Sequence, residues 1–384
     1  MCDLEVNTAC YAWTDAQIIY LTQLCRVDSM QGMADLFVLE LSRISTILLE
    51  ALGETEIFHR IYRLSPPPAY SGSGLRAIPG IKTISLGRSV QAHFNAEIAS
   101  LGELPDYREL FTAGLWGETL HFIRAVWGNR TPEIHLIEEG FYSYVKDARK
   151  CRLDNAQKEF IERFLRYGGR AVKARRMVRD IRVFCPDIMR VKVPYAIRSL
   201  TPIDLRSSFW IQLAKKIVPL ELAEEYDKRQ VVFLMSPRKQ KYEETLDETI
   251  SVIDVVMRQV GPENMIVRLH PADRSAEEVL RAKYPDEPLY IDYTTFWLES
   301  LGALADFQKT IFVVRNSSVL LSLLEMDIHS QRMCLTYKLY NYYRKHGDVY
   351  RDYLSEQLRK SFDIRVPEDY EELKTSLILE RGEK

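Results

Sequence analysis

Short apolar runs alternate with helix-patterned segments along this chain, and the alternation happens twice. LEVNTACYAW, ADLFVLEL, RELFTAGLW and EIHLIEEG read as strands, with DAQIIYLTQLCR and GETLHFIRAVW as helices among them. From Lys146 to about Arg182 the pattern is helical and basic, and then IRVFCPDIMRV reads as a strand and KVPYAIRSLTPIDL as irregular chain. The grammar then returns: VVFLMSP, MIVRLHP, LYID and TIFVVRN as strands, with YEETLDETISVIDVVMRQV, AEEVLRAKY and SSVLLSLLEM as helices. Strands that alternate with helices form parallel sheets with crossover helices. No sequence repeat relates the halves.

At 384 residues the chain exceeds the size at which one hydrophobic core keeps growing, so two domains are expected, at 1–205 and 206–384. The expected fold class is α/β, in the GT-B arrangement of two Rossmann-like domains facing each other across a cleft. SPPPAYSGSG interrupts the first half as a Pro-, Ser- and Gly-rich loop.

Charge excludes some roles. With 52 basic and 54 acidic residues the formal net charge is −2, which leaves no general attraction for nucleic acid, and none is expected as a partner. Locally, 146–192 carries fifteen Lys or Arg against six Asp or Glu. Arg170, Lys173, Arg176 and Arg179 recur every three positions, as a stripe on a helix would. One reading is a docking surface for an anionic glycan or the inner face of the cytoplasmic membrane; the other is a solvated helical face. The six cysteines, Cys2, Cys10, Cys25, Cys151, Cys185 and Cys334, form no Cys-x-x-Cys pair, which fits reduced thiols. An acidic N-terminus and the lack of a long apolar run point to a cytoplasmic protein.

Ligands of parallel sheets bind at the rim where strands run into helices. Four strand ends carry polar punctuation there. Glu138, Glu139 and Gly140 end the strand EIHLI. Ser236 and Pro237 follow VVFLM, and His270 and Pro271 follow MIVRL. Asn316, Ser317 and Ser318 follow TIFVVR and lead into a helix. Ser317 or Ser318 can cap that helix, whose free N–H groups then make a phosphate site. His270 can donate to a phosphate oxygen or protonate it, and Arg268, two residues earlier, can help anchor the anion. Taken singly, each motif also has a plain structural reading as a turn, a cap or a structural histidine.

The ordered set Glu138-Glu139-Gly140, His270-Pro271 and Ser317-Ser318 resembles the three short motifs of bacterial CMP-sialic acid-dependent sialyltransferases and polysialyltransferases. The resemblance implies an inverting transfer from a CMP-activated sugar acid to a glycan or glycolipid hydroxyl, with no cofactor and no metal. It assigns the acceptor and the catalytic base to the first domain and the CMP donor to the second. By the same resemblance, Glu139 or Glu138 is the base, with Glu139 favoured because it stands nearer the strand tip. His270 assists the departing phosphate and the Ser pair binds it. IDYTTFWLESL occupies the place of cytidine recognition, with Glu299 a candidate for the ribose hydroxyls. Other CMP-activated keto acids (Kdo, legionaminic or pseudaminic acid), or an inactive glycan-binding protein of the same fold, remain open, and a UDP-sugar transferase is less favoured. The absence of an Asp-x-Asp pair agrees with a metal-free reaction.

Overall fold

The computed structural model describes residues 5–41, 44–67, 79–115, 117–138, 142–145, 174–236, 246–270, 276–294, 298–315, 332–360 and 363–378. The chain divides into two compact units, Met1–Thr201 and Pro202–Lys384. The boundary therefore falls four residues before the one expected.

The first unit holds a seven-stranded parallel sheet: β1 (Thr8–Ala12), β2 (Ala34–Leu39), β3 (Arg60–Leu64), β4 (Glu109–Thr112), β5 (Glu133–Ile137), β6 (Val178–Val183) and β7 (Ala196–Ser199). Its spatial order is β3-β2-β1-β4-β5-β6-β7. Helices α1 (Asp15–Val27), α2 (Thr46–Gly53), α3 (Pro79–Ser100), α4 (Gly117–Trp127) and the single turn α5 (Tyr142–Val145) connect the strands. The second unit holds β8 (Val231–Leu234), β9 (Met265–Arg268), β10 (Tyr290–Asp292), β11 (Ile311–Val314), β12 (Arg332–Leu335) and β13 (Ile364–Arg365), in the order β10-β9-β8-β11-β12-β13. Numbered within its own unit, each sheet runs 3-2-1-4-5-6, with a seventh strand added at the far edge of the first, so two Rossmann-like sheets share a topology without sharing sequence.

Central strands read most clearly because both of their faces are covered. β1, β2, β8, β9 and β11 are buried at every residue, and a strand covered on both sides is a continuous apolar run. Edge strands lack that signal. β7 is exposed along its whole length and lies in the stretch expected to be irregular, while β3 carries Arg60 and Arg63, charges suited to a sheet edge. The start of α1 has a local cause. The Thr14 side chain accepts from Gln17 N–H, and Gln17 Oε1 accepts from Trp13 N–H, closing the start of α1 reciprocally.

Two expectations are corrected. The basic helix does not extend to Arg182: the chain is already in β6 at Val178, because Val178, Ile181 and Val183 are needed in the sheet core. Arg179 therefore sits on a strand and pairs with Glu133 at 2.6 Å, so it leaves the helical stripe. Of the other stripe residues only the exposed Arg176 falls within the described residues. IRVFCPDIMRV stops being a strand at Val183, and Pro186 opens a 3-10 turn instead. Most of SPPPAYSGSG, and the helix SSVLLSLLEM, lie outside the described residues. Cys10, Cys25, Cys185 and Cys334 are free thiols. No described helix is long and apolar enough to cross a membrane.

Candidate functional site

In the first sheet, β5 ends at Ile137 and delivers Glu138 into the interior, fully buried. Its backbone N–H continues the ladder by donating to Arg182 O at 2.9 Å. Its Oε2 accepts from Tyr144 Oη–H at 2.5 Å and from Phe184 N–H at 3.0 Å, and Tyr144 Oη in turn accepts from Cys185 N–H at 3.2 Å. Tyr144 O also accepts from Arg190 N–H. One carboxylate thus ties the end of β5 to α5 and to the chain leaving β6. Burial, then the charge of Glu138, pushes the Cys185 thiol up to about 11. The Glu138 side chain is aimed inward. Glu139 and Gly140 lie outside the described residues.

In the second sheet, β9, β8 and β11 are neighbours and all parallel, so the chain leaves them at one edge. His270, two residues past β9, is half-buried, and so is Ser236, two residues past β8. The order reverses between β8 and β11, which makes their C-terminal ends the topological switch point where open α/β sheets bind ligands. Ser236 flanks that point on one side. Arg315, followed by Asn316, Ser317 and Ser318, flanks it on the other. Pro237, Pro271, Asn316, Ser317 and Ser318 lie outside the described residues, as does the side chain of Glu299, whose backbone belongs to the 3-10 helix Leu298–Ala303.

Arg268, expected to help anchor the anion, stands in a buried ion pair. It is buried, and its register partner on β10 is Asp292. Arg268 Nη1 donates to Asp292 Oδ2 at 2.6 Å, Tyr226 Oη–H donates to the same oxygen at 2.7 Å, and Asp292 Oδ1 accepts from Thr294 N–H and Oγ1–H. A guanidinium in a sheet interior needs a matched carboxylate, and Asp292 is that match.

Two residues that sequence reading passed over belong to the rims. Arg315 is buried at the end of β11 with its guanidinium 5.1 Å from the centre of the Tyr340 ring, which brings a cation to the switch point of the second sheet. Asp15 follows β1, whose C-terminal end flanks the switch point of the first sheet, between β1 and β4. Burial pushes the Asp15 carboxyl up to about 6, with the N–H of Ser45, at 2.9 Å from Oδ1, pulling back part of that rise. A carboxyl that titrates near neutrality at a sheet rim has the properties of an acid–base group. The only sequence signal was a Thr-Asp pair at a strand-to-helix border.

The raised value also fixes a pH dependence. Between about pH 4 and pH 6 the folded chain holds the Asp15 proton more tightly than the unfolded chain, so this group's contribution to stability falls as pH rises through that window. Asp15→Asn keeps the acceptor for Ser45 and removes the buried charge. The urea midpoint at pH 8 should rise by an equivalent of about 3 kcal/mol, and the gain should be nearly gone by pH 4. Equal midpoints of variant and parent at pH 8 would contradict the buried ionised state.

No protein-family model and no curated protein matches the chain. Solved structures do. UDP-GlcNAc 2-epimerase from Methanocaldococcus jannaschii, in complex with UDP-GlcNAc and UDP, is similar at TM-score 0.55 and 13% identity over 98% of this chain and 94% of its own. The UDP-GlcNAc 2-epimerase from Neisseria meningitidis bound to UDP-GlcNAc gives TM-score 0.55 and 8% identity over 96% and 90%. S. aureus MnaA in its UDP co-structure gives 0.53 and 12% over 96% and 86%. At such identities the likeness defines the fold: two Rossmann-like α/β domains of the GT-B class.

Proposed function

We propose that the chain is a sugar-nucleotide enzyme, and specifically an inverting, metal-independent glycosyltransferase that moves sialic acid from CMP-sialic acid to a hydroxyl of a surface glycan acceptor. The observation that carries this reading is that Ser236 and His270 lie just past the C-terminal ends of the adjacent parallel strands β8 and β9, and that β11, whose end with that of β8 forms the switch point of the second sheet, is the strand that 316–318 follow in sequence. CMP carries one phosphate, so a helix N-terminus and a histidine suffice to hold it. Glu139 takes the proton of the acceptor hydroxyl as that oxygen attacks the anomeric carbon. His270 gives a proton to the departing phosphate as the glycosidic C–O bond breaks, and Ser317 and Ser318 hold that phosphate. With Glu138 committed to Tyr144 and Phe184, Glu139 is the member of the pair left for chemistry. A polyanionic or lipid-linked acceptor suits the basic 146–192 segment.

The second reading is a UDP-sugar epimerase, favoured by the solved structures, two of which hold UDP-GlcNAc. Titration of CMP, UDP and GDP by calorimetry separates the two. The transferase reading expects CMP to bind best and CMP-sialic acid to be hydrolysed or transferred, unaffected by a chelator. Preference for UDP, with conversion of UDP-GlcNAc to its 2-epimer, would replace it. Binding of CMP with turnover only of CMP-Kdo or another CMP-activated acid would move the donor. Failure to bind any nucleotide would favour an inactive glycan-binding protein. Within the transferase reading, His270→Ala should lower kcat by about 10²-fold or more with little change in acceptor KM. An unchanged kcat removes His270 from the chemistry.

A further inference from the structure

At the opposite edge of the first sheet lies a second cluster that the transferase reading does not use. Glu109 and Glu133 are the first residues of β4 and β5 and stand directly opposite each other in register, so their side chains share a face. His135, two residues along β5, points to that same face. Its imidazole stacks on Phe111, the residue opposite it on β4, with centroids 4.6 Å apart and planes at 17°. Its Nδ1 lies 2.9 Å from Asp180 Oδ1 on β6, and Asp180 Oδ2 is held at 2.9 Å by Arg198 Nε. A carboxylate paired to arginine accepts only, so Nδ1 carries the hydrogen and Nε2 presents its lone pair.

That lone pair is the informative feature. Nε2 is buried, and among the described residues it has no hydrogen-bond partner. One donor atom each from Glu109, Glu133 and His135 lies within 4.8 Å of the others. A buried nitrogen lone pair facing two carboxylates is electrostatically unfavourable unless a cation stands among them. Histidine oriented by a carboxylate on its other nitrogen is the usual support of a metal ligand. Arg179 holds one oxygen of Glu133 at 2.6 Å, which leaves the second for a cation and fixes the carboxylate's direction.

We infer that Glu109, Glu133 and His135 Nε2 form a divalent-cation site, oriented by Asp180 and Arg198, that clamps the N-terminal ends of β4 and β5. One imidazole and two carboxylates suit Zn²⁺ or Mn²⁺ better than Mg²⁺ or Ca²⁺. Donors around a tetrahedral Zn²⁺ stand roughly 3.5 Å apart, which a rotation of the two half-buried glutamates achieves. The site is separated from Glu138 by the length of β5, roughly 15 Å at the strand rise, so its role is to stabilise the first domain and the transfer reaction does not pass through it.

The test uses the tag-free full chain, stripped with a chelator and dialysed, titrated with ZnCl₂ and separately with MnCl₂ by calorimetry and followed by thermal unfolding. Expected is one equivalent per chain with a dissociation constant of micromolar or tighter for at least one ion, and a rise in Tm that grows with free ion. His135→Gln should weaken binding at least tenfold. Glu109→Gln, at a half-buried position that tolerates the change, should do the same without altering the Tm of the stripped protein by more than a degree or two. Absence of saturable binding by both ions overturns the inference. Binding that is unchanged in both variants overturns it as well, since the ion would then be held elsewhere.

Discussion

Glu139→Gln should abolish transfer, lowering kcat by about 10²- to 10⁴-fold, while CMP binds the variant as tightly as it binds the parent. The magnitude is that of a lost general base, and the amide keeps the shape of the side chain. The neighbouring substitution separates chemistry from support. Glu138 accepts from Tyr144 Oη–H and from Phe184 N–H inside the protein, so Glu138→Gln presents an amide to two donors and should lose about 1–3 kcal/mol of stability in urea titration. The two readouts cross: the Glu139 variant folds like the parent and does not turn over, whereas the Glu138 variant unfolds early. A Glu139→Gln enzyme of near-parental rate, with Glu138→Gln folded and dead, would reverse the assignment. Two active variants would remove the carboxylate pair from the mechanism.

Asp292→Ala should cost about 3–5 kcal/mol, the largest single loss of stability expected in the second domain. The substitution leaves the Arg268 guanidinium buried without its carboxylate and takes an acceptor from Tyr226 and from Thr294. The double change Arg268→Met and Asp292→Leu removes both charges and keeps the volume, so most of the loss should return. Urea midpoints at constant m value measure both. If the pair held a ligand's anion instead, the single variant would keep its midpoint and lose nucleotide affinity. A loss under 1 kcal/mol with CMP binding impaired would therefore restore Arg268 to the binding site.

Periodicity along the chain is a local property, and it determined the parallel α/β class, the division into two domains and most central strands. A strand such as β1 or β11 is apolar at each position because both faces are covered, and that pattern is visible without knowing what covers it. The same locality placed Glu138, Ser236 and His270 at or just beyond strand ends. Strand order was beyond it, since the pairing of β1 with β4 and of β8 with β11 joins segments far apart in the chain. So the switch points, and with them Asp15 and Arg315 as rim residues, emerged only from the tertiary structure.

Side-chain roles depend on partners even more. Arg268 and His270 share a strand end, yet one is a core ion pair and the other is half-buried beyond the strand, and the difference is Asp292 on the adjacent strand, in register with Arg268. Arg179 left the basic stripe because Val178, Ile181 and Val183 were required in the sheet. Glu109, Glu133, His135 and Asp180 come together from three strands, with nothing in their spacing to announce it. The sequence by itself determined which residues could be charged, apolar or helical. The tertiary structure decided which charges meet, because a buried charge is tolerable only beside its counterpart and the backbone path alone sets who stands beside whom.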